Sequence, residues 1–259
     1  PLLFLVGIFF LNFLGRILLS PVMPPVEKDL KIGHSEAGSL FLLISLGYCV
    51  GLLASGFVSS RLSHRKTIFL SSIAVGLGLL IVSISHNLWA IRSGLIFLGL
   101  AAGLYLPSGI ATVTELVHPT HWGKALAIHE LAPNLGFVVG PLLAEALLGL
   151  VSWRGVLSLV GIGSIVGGAI FIVWGKGGAL LGEAPDSKTL RSILVQPSFW
   201  IMIGLFGLGI GASLGVYAMM PLYLVTERGM DRTWANSLVA FSRLLTMGAA
   251  LLTGWVTDR

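Results

Sequence analysis

Apolar residues run through this chain in long blocks separated by short polar connectors. Eight blocks read as helical spans, roughly 2–22, 36–58, 67–85, 93–116, 125–150, 156–175, 198–224 and 234–256. Most hold about 20 residues or more, enough to cross ~30 Å of hydrocarbon at ~1.5 Å per residue. In the first span, Pro24 and Pro25 are expected to end the helix. The connections are short except for one, Lys176 to Pro197, which carries Glu183, Asp186, Lys188 and Arg191. The pattern therefore divides the chain into an N-terminal six-helix bundle (1–175), a cytoplasmic linker (176–197) and the start of a second bundle (198–259).

Composition agrees with burial in lipid. Of 259 residues, 55% are hydrophobic and 10% charged, whereas a soluble domain carries ~25% charged residues to face water. A soluble enzyme is excluded, and the single cysteine, Cys49, excludes a disulfide scaffold. The net charge of +5 does not point to nucleic acid, because the cations sit mostly in the connectors. Eight (Arg61, Arg65, Lys66, Lys124, Lys176, Lys188, Arg191, Arg259) fall on one side and six (Lys28, Lys31, Arg92, Arg154, Arg228, Arg232) on the other. That bias places the N-terminus on the cytoplasmic side of the cell inner (plasma) membrane. The expectation is an all-α polytopic membrane protein. Abrupt apolar starts and stops at both ends suggest a piece of a longer chain.

The chain also repeats itself. At an offset of 198, Ala37, Ser39 and Leu40 match Ala235, Ser237 and Leu238, Leu46 and Leu53 match Leu244 and Leu251, and Gly56-Phe-Val-Ser-Ser-Arg61 matches Gly254-Trp-Val-Thr-Asp-Arg259. At 197, Met23-Pro24 matches Met220-Pro221. Duplicated helical bundles are how many transporters place a site at the interface of two halves.

With these elements the chain resembles the major facilitator superfamily, whose members carry two six-helix halves. The resemblance implies that helices one to eight of twelve are present. The family loop Gly-x-Leu-x-Asp-Arg-x-Gly-Arg-Arg/Lys reads here Gly56-Phe-Val-Ser-Ser-Arg61-Leu-Ser-His-Arg65-Lys66, with Ser60 and Ser63 replacing its aspartate and second glycine. The second copy keeps Asp258 beside Arg259. By resemblance, Gly56, Arg61, Arg65, Gly254, Asp258 and Arg259 form a gating motif, and Glu115 is expected to face Arg61 or Arg65. The fifth-helix pattern Gly136-x-x-x-Gly140-Pro141 permits close helix approach; in the family it packs against the other half. In the fourth helix Gly99 fits the family pattern, but Leu95 stands where an arginine is common, and Arg92 lies three residues earlier.

Ionisable groups inside spans cost about 2.5–3.5 kcal/mol each at the helix centre, which makes them functional candidates. Arg16 shares a stripe with Asn12 and Ser20 at i, i+4 spacing. A guanidinium beside an amide suits a carboxylate or phosphate; the competing reading is that Arg16 snorkels to the outer surface. Arg243 lies near mid-membrane with Asn236 two turns before it, and its competing reading is a pair with Glu130 or Glu145. His129 and Glu130, followed by Pro133 and Asn134, could carry a proton. Pro133 occupies the last position of a His-Glu-x-x-His pattern, so a metalloprotease helix is not supported. Glu145 reads as a rim residue, and His34, His64, His86, His118 and His121 as solvated loop residues. The glycines of the seventh helix (204, 207, 209, 211 and 215) suit packing or bending, and Tyr217 and Tyr223 could line the path.

These readings converge on a secondary active transporter for a small organic anion, coupled to protons or a counter-anion. Arg16, Asn12, Arg243, Asn236 and Asn134 are its expected binding residues. The alternative is a proton-coupled exporter of an amphipathic or cationic compound. A membrane enzyme or a non-transporting sensor is the reading from another class. No cofactor, metal or nucleic acid is expected; the expected partners are a small-molecule substrate and the bilayer, and the expected state is a monomer.

Overall fold

The computed structural model describes residues 1–184 and 186–257, without the side chains of 187, 189 and 245–257. Among the described residues every regular element is helical. The spans are α1 (Leu2–Leu30), α2 (His34–Leu62), α3 (His64–Ile84), α4 (Leu88–Leu116), α5 (Pro119–Leu148), α6 (Trp153–Trp174) and α7 (Pro197–Thr226), then α8 (Arg232–Thr257). The first seven are long and apolar enough to cross a membrane. Each span is longer than its apolar block, by eight residues in α1, although α3, α5 and α6 stop one or two residues short of the block's end; helix hydrogen bonds continue into polar ends that hydropathy leaves out.

Three spans contain a break, and a single rule places all three. The helical run stops after Ile17 in α1, after Gly103 in α4 and after His129 in α5. Each stop lies four residues before a proline: Pro21, Pro107 and Pro133. Proline has no N–H for the carbonyl four residues back, and its ring crowds that carbonyl. Pro24 and Pro25 nonetheless fail to end α1, contrary to expectation. The helix continues to Leu30 and closes on Lys31 at φ 55°. A membrane helix tolerates proline when neighbours supply donors for the freed carbonyls.

Side chains also answer the carbonyls around the α4 break. Asn12 Nδ2 donates to the Ala102 carbonyl at 3.4 Å, Ser71 Oγ to Ala101 at 2.7 Å, and Ser55 Oγ to Leu104 at 3.1 Å. Asn12 also donates to Ser71 Oγ at 3.1 Å and is buried. Its expected role in substrate binding is therefore corrected: the amide is committed to holding α1, α3 and α4 together.

Helix pairs α2–α4 and α3–α6 pack most closely, and glycine makes both approaches possible. A Cβ on Gly47 or Gly99 would collide with the carbonyl of Ile96 or Ile44 across the α2–α4 contact. Gly76 and Gly161 oppose one another in the same way between α3 and α6. α1 runs through the middle of this first bundle, with Leu14, Leu18, Val22 and Met23 in its core.

The connector after α6 is less free than its composition suggests. Its first part forms a strap: His64 N–H donates to the Leu180 carbonyl (3.1 Å), Arg65 N–H to Gly178 (2.7 Å) and Gly182 N–H to Ser59 (3.0 Å). Gly177 and Gly178 turn at φ 80° and 71°. Further on, Ser187–Leu194 forms a short helix.

Gly99→Leu should cost about 3 kcal/mol or more, since the added volume meets backbone rather than a movable side chain. Thermal unfolding of the full-length protein in detergent checks this. Gly163→Leu, at a position with open space around it, should leave the midpoint unchanged.

Candidate functional site

The first bundle meets α7 and α8 along a seam built from α1 and α5. Gly136 and Gly140 do not face that seam. A Cβ on Gly136 would press on Phe13, and one on Gly140 on Ile17 and Leu14, all in α1 of the same bundle. The inter-half packing implied for these glycines is thus corrected. Pro141 is the member of the pattern that acts across the seam. It deprives the Phe137 carbonyl of its helical donor, and Tyr217 Oη donates to that carbonyl at 3.2 Å. Pro221 does the same to the Tyr217 carbonyl, which accepts from Ser20 Oγ at 3.0 Å. Pro25 does the same to the Pro21 carbonyl, which accepts from Asn236 Nδ2 at 3.3 Å. Ser20 and Tyr217 are equivalent positions in the Met-Pro repeat, 197 residues apart, and they touch. The pseudo-symmetry axis of the duplication passes close to this contact.

Toward the helix ends away from the linker, a polar cluster joins the same elements. Glu145 accepts from Arg232 Nη2 (2.9 Å) and Nε (3.0 Å), Thr233 Oγ1 (2.9 Å) and Asn236 Nδ2 (3.1 Å). His34 lies 2.6 Å from Glu27 and 3.4 Å from Glu227, and Arg154 pairs with Asp29. Buried Asn236 fastens the seam through Nδ2, while its Oδ1 has no hydrogen-bond partner. Three expectations change here. Glu145 belongs to Arg232, not to Arg243. His34 starts α2 as an ion-pair partner, and His64, at the start of α3, sits 3.2 Å from Ser108 Oγ; neither is a loop residue. Arg92 pairs with Glu36 at 3.3 Å, and Arg228 donates to Tyr223 Oη at 2.8 Å.

Arg16 and Arg243 flank the seam. The guanidinium carbon of Arg16 sits 3.5 Å from the Tyr48 ring centroid and 5.6 Å from that of Phe13. Its Nε is enclosed without a hydrogen-bond partner, so it does not snorkel away. The guanidinium carbon of Arg243 lies 4.4 Å from the ring centroid of Phe137 and 4.8 Å from that of Tyr217, and its nitrogens donate to Ser213 Oγ (3.2 Å) and carbonyl (3.1 Å). Phe13 and Phe137 meet edge-to-face at 4.9 Å, so an aromatic bridge separates the two cations. Among the described residues neither has a carboxylate within ion-pair distance. A cavity of about 140 Å³ beside Arg243 is lined by Tyr217, Met220, Val239 and Ser242, and Arg16 is not in its wall. Sequence reasoning missed Tyr48, Phe13, Phe137 and Ser213, since aromatic rings in a span look like any apolar residue.

At the α5 break, His129 is fully buried while Glu130 stays half exposed. His129 stacks on Phe9 at 4.5 Å, and its Nε2 lies 3.0 Å from Tyr105 Oη. Tyr105 gives its one proton to the Leu5 carbonyl at 3.0 Å, so the imidazole must donate from Nε2. Its Nδ1 then faces Glu130 Oε1 at 3.6 Å without another partner. Asn134, exposed, donates back to the Glu130 carbonyl at 2.8 Å and lies in neither arginine's surroundings. In the expected gating motif, Glu115 accepts from Gly178 N–H at 2.8 Å instead of facing Arg61 or Arg65. Arg65 donates to the Ile172 carbonyl at 2.9 Å, Arg61 is exposed, and the Gly56 carbonyl accepts from Ser59 Oγ at 3.3 Å. Gly254 falls where only backbone is described, and Asp258 and Arg259 lie outside the described residues. A Cβ on any of the α7 glycines would meet no described atom of another element within 4 Å, so they make no close packing there.

A family profile described as Major Facilitator Superfamily matches residues 5–259. The chain belongs to this superfamily. Among curated superfamily relatives, it is 23% identical over 270 residues to the probable L-galactonate transporter of Escherichia coli, covering 96% of the chain and 59% of that protein. It is likewise 23% identical over 273 residues to the membrane sensor protein UhpC of the same organism, covering 96% and 62%. The chain thus spans about three fifths of the length of these relatives. In fold, it matches a bacterial homologue of the human lysosomal transporter Spinster, in an inward-facing and occupied conformation. That match has a TM-score of 0.83 at 17% identity, over 100% of this chain and 61% of that one. A D-xylose–proton symporter matches with a TM-score of 0.69 at 14% identity, over 99% and 68%. These superfamily matches establish an all-α, multi-pass membrane protein.

Glu145→Gln removes the acceptor that collects Arg232, Thr233 and Asn236. The ends of α1 and α5 should then separate from α8. Spin labels at Ser35 and Met230 of the full-length protein should report a longer, broader distance distribution than in the wild type; an unchanged one would show that the cluster does not hold the seam.

Proposed function

We propose that this chain is the larger part of a secondary active transporter that carries a small organic anion by alternating access, coupled to protons or a counter-anion. The observation that carries the reading is the pair of arginines, one in each half, resting on aromatic faces without a carboxylate. An arginine at mid-membrane costs about 2.5–3.5 kcal/mol, and stacking on a desolvated ring returns about 2 kcal/mol. The remainder, about 0.5–1.5 kcal/mol, is within what one charge-assisted hydrogen bond to a ligand can offset, since such a bond supplies about 1.5–3 kcal/mol. The aromatic faces hold each guanidinium plane and leave N–H groups on its edge for a carboxylate or phosphate. The relative named for L-galactonate, a sugar acid, fits this class.

In this reading the linker side is cytoplasmic, the N-terminus with it, in the inner membrane. The proline-freed carbonyls and the Glu145 cluster close the side away from the linker, and rocking of the halves would exchange that closure for one on the linker side. Glu130, half exposed, would pass a proton to Nδ1 of buried His129, and Tyr105 holds the ring in the receptive tautomer.

A second reading keeps this proton pair and changes the cargo to an amphipathic or cationic compound leaving the cell. The half-exposed carboxylate of Glu130 favours it, as do relatives named as a quinolone resistance protein of Staphylococcus aureus and a chromaffin granule amine transporter of Rattus norvegicus. The relative named as a sensor makes flux, rather than ligand binding, the deciding measurement.

In proteoliposomes holding the full-length protein, Arg16→Gln and Arg243→Gln should each lower sugar-acid uptake about 10–150-fold, the equivalent of about 1.5–3 kcal/mol. Arg→Lys should recover only part of it, because lysine lacks the planar fork. Uptake at the wild-type rate in both Gln variants would remove the anion reading. Glu130→Gln should abolish the dependence of uptake on a pH gradient while leaving counter-flow exchange intact.

A further inference from the structure

A second cationic cavity lies away from the seam, where α2 ends, α3 begins and the strap crosses after α6. It has a volume of about 510 Å³, and its wall includes Arg61, Arg65, Lys66, Ser63, Ile172 and Leu181. Three cations thus line one hollow. Among the described residues, none of the three is within ion-pair distance of a carboxylate. The family pattern would put an aspartate at position 60, but serine stands there, and Ser60 Oγ donates to the Phe57 carbonyl at 2.9 Å. Glu115, the nearby acid expected to balance them, is turned onto Gly178 N–H.

Arg65 shows that the wall is built rather than merely exposed. Its Nη2 is anchored on the Ile172 carbonyl at 2.9 Å, while its Nε is enclosed and has no acceptor. The first amides of α3 do not supply the binding power, since those of His64 and Arg65 are taken by the Leu180 and Gly178 carbonyls. The attraction must come from the side chains. Two further features select the kind of anion. The hollow mixes its cations with the apolar side chains of Leu62, Ile172 and Leu181. It also includes Ile172 in its wall, near the end of α6, which closes on exposed Trp174, the residue type that marks the headgroup level of a bilayer. Leu70, Leu77, Ile170 and Val173 are exposed apolar residues of the same two helices.

We propose that this hollow binds the phosphodiester headgroup of an anionic phospholipid, with Arg61, Arg65 and Lys66 around the phosphate and the acyl chains lying along α3 and α6. Basic pockets between spans at the headgroup level hold such lipids, and guanidinium groups match the phosphate geometry. The loss of the aspartate turns a balanced loop into an anion receptor.

The test is native mass spectrometry of the full-length protein, delipidated in detergent and titrated with phosphatidylglycerol, phosphatidylcholine or inorganic phosphate. The wild type should retain phosphatidylglycerol adducts at least tenfold more strongly than phosphatidylcholine, and millimolar inorganic phosphate should not displace them. Arg61→Gln with Lys66→Gln, both exposed positions, should lose that preference while keeping the wild-type melting temperature in detergent. Lys188→Gln with Arg191→Gln removes equal charge from the linker and should keep it. Arg65→Lys tests the enclosed member without removing its charge and should weaken retention. Equal retention in the Arg61/Lys66 variant and the linker variant would overturn the site, and displacement by free phosphate would overturn its assignment to a lipid.

Discussion

A carbonyl that loses its helical N–H inside a membrane has no water to turn to, and the architecture of this protein follows from that constraint. Pro25, Pro141 and Pro221 each release the carbonyl four residues back. Each released carbonyl is taken by a side chain from a different span: Asn236, Tyr217 and Ser20. All three bonds reach across from one copy of the repeat to the other, Ser20 in one direction toward α7, and Asn236 and Tyr217 in the reverse direction toward α1 and α5. The seam is thus specified by backbone chemistry as much as by side-chain packing. Apolar surface alone would not specify it, because lipid tails solvate leucine as well as another helix does.

The spans were readable from the chain because lipid imposes a severe requirement, about 20 apolar residues without interruption. The superfamily was readable for a different reason: the repeat and the loop around Gly56 and Arg61 place rare polar residues at fixed distances. The destination of each polar side chain was not. Asn12, Arg16 and Ser20 seemed to share a face, yet they point to three different neighbours, α3 and α4, then α2, then α7. Four residues advance a helix by about 40° beyond a full turn, and the interruption after Ile17 adds to that drift. Glu115 was assigned to the arginines because it ends the fourth span on their side of the membrane, and a backbone N–H in the strap claimed it. The caging of Arg16 by Tyr48 lay beyond reading, since nothing in a run of apolar residues says which aromatic will cover a charge.

The two cationic sites differ in how they are insulated. Arg16 and Arg243 lie against rings at the centre of the assembly, where a counter-charge would be costly to keep and costly to remove. Arg61, Arg65 and Lys66 lie at the water boundary, where water shares the work of solvating them. The first arrangement suits a transient occupant; the second suits a resident one. Neither has an acid within ion-pair distance among the described residues, and in each case a carboxylate that the sequence offered as a partner is engaged elsewhere: Glu145 by Arg232 and Glu115 by Gly178.

The carbonyls of Pro21 and Phe137 lie in the first bundle, but their donors arrive only with α7 and α8. While the chain is being threaded into the bilayer, the six-helix bundle would stand with these oxygens bare, at about 1–3 kcal/mol apiece. That unmet demand makes the half-synthesised protein a natural client for whatever shelters membrane segments at the insertion machinery. It also supplies a thermodynamic pull that recruits the later helices to one edge of the bundle and no other.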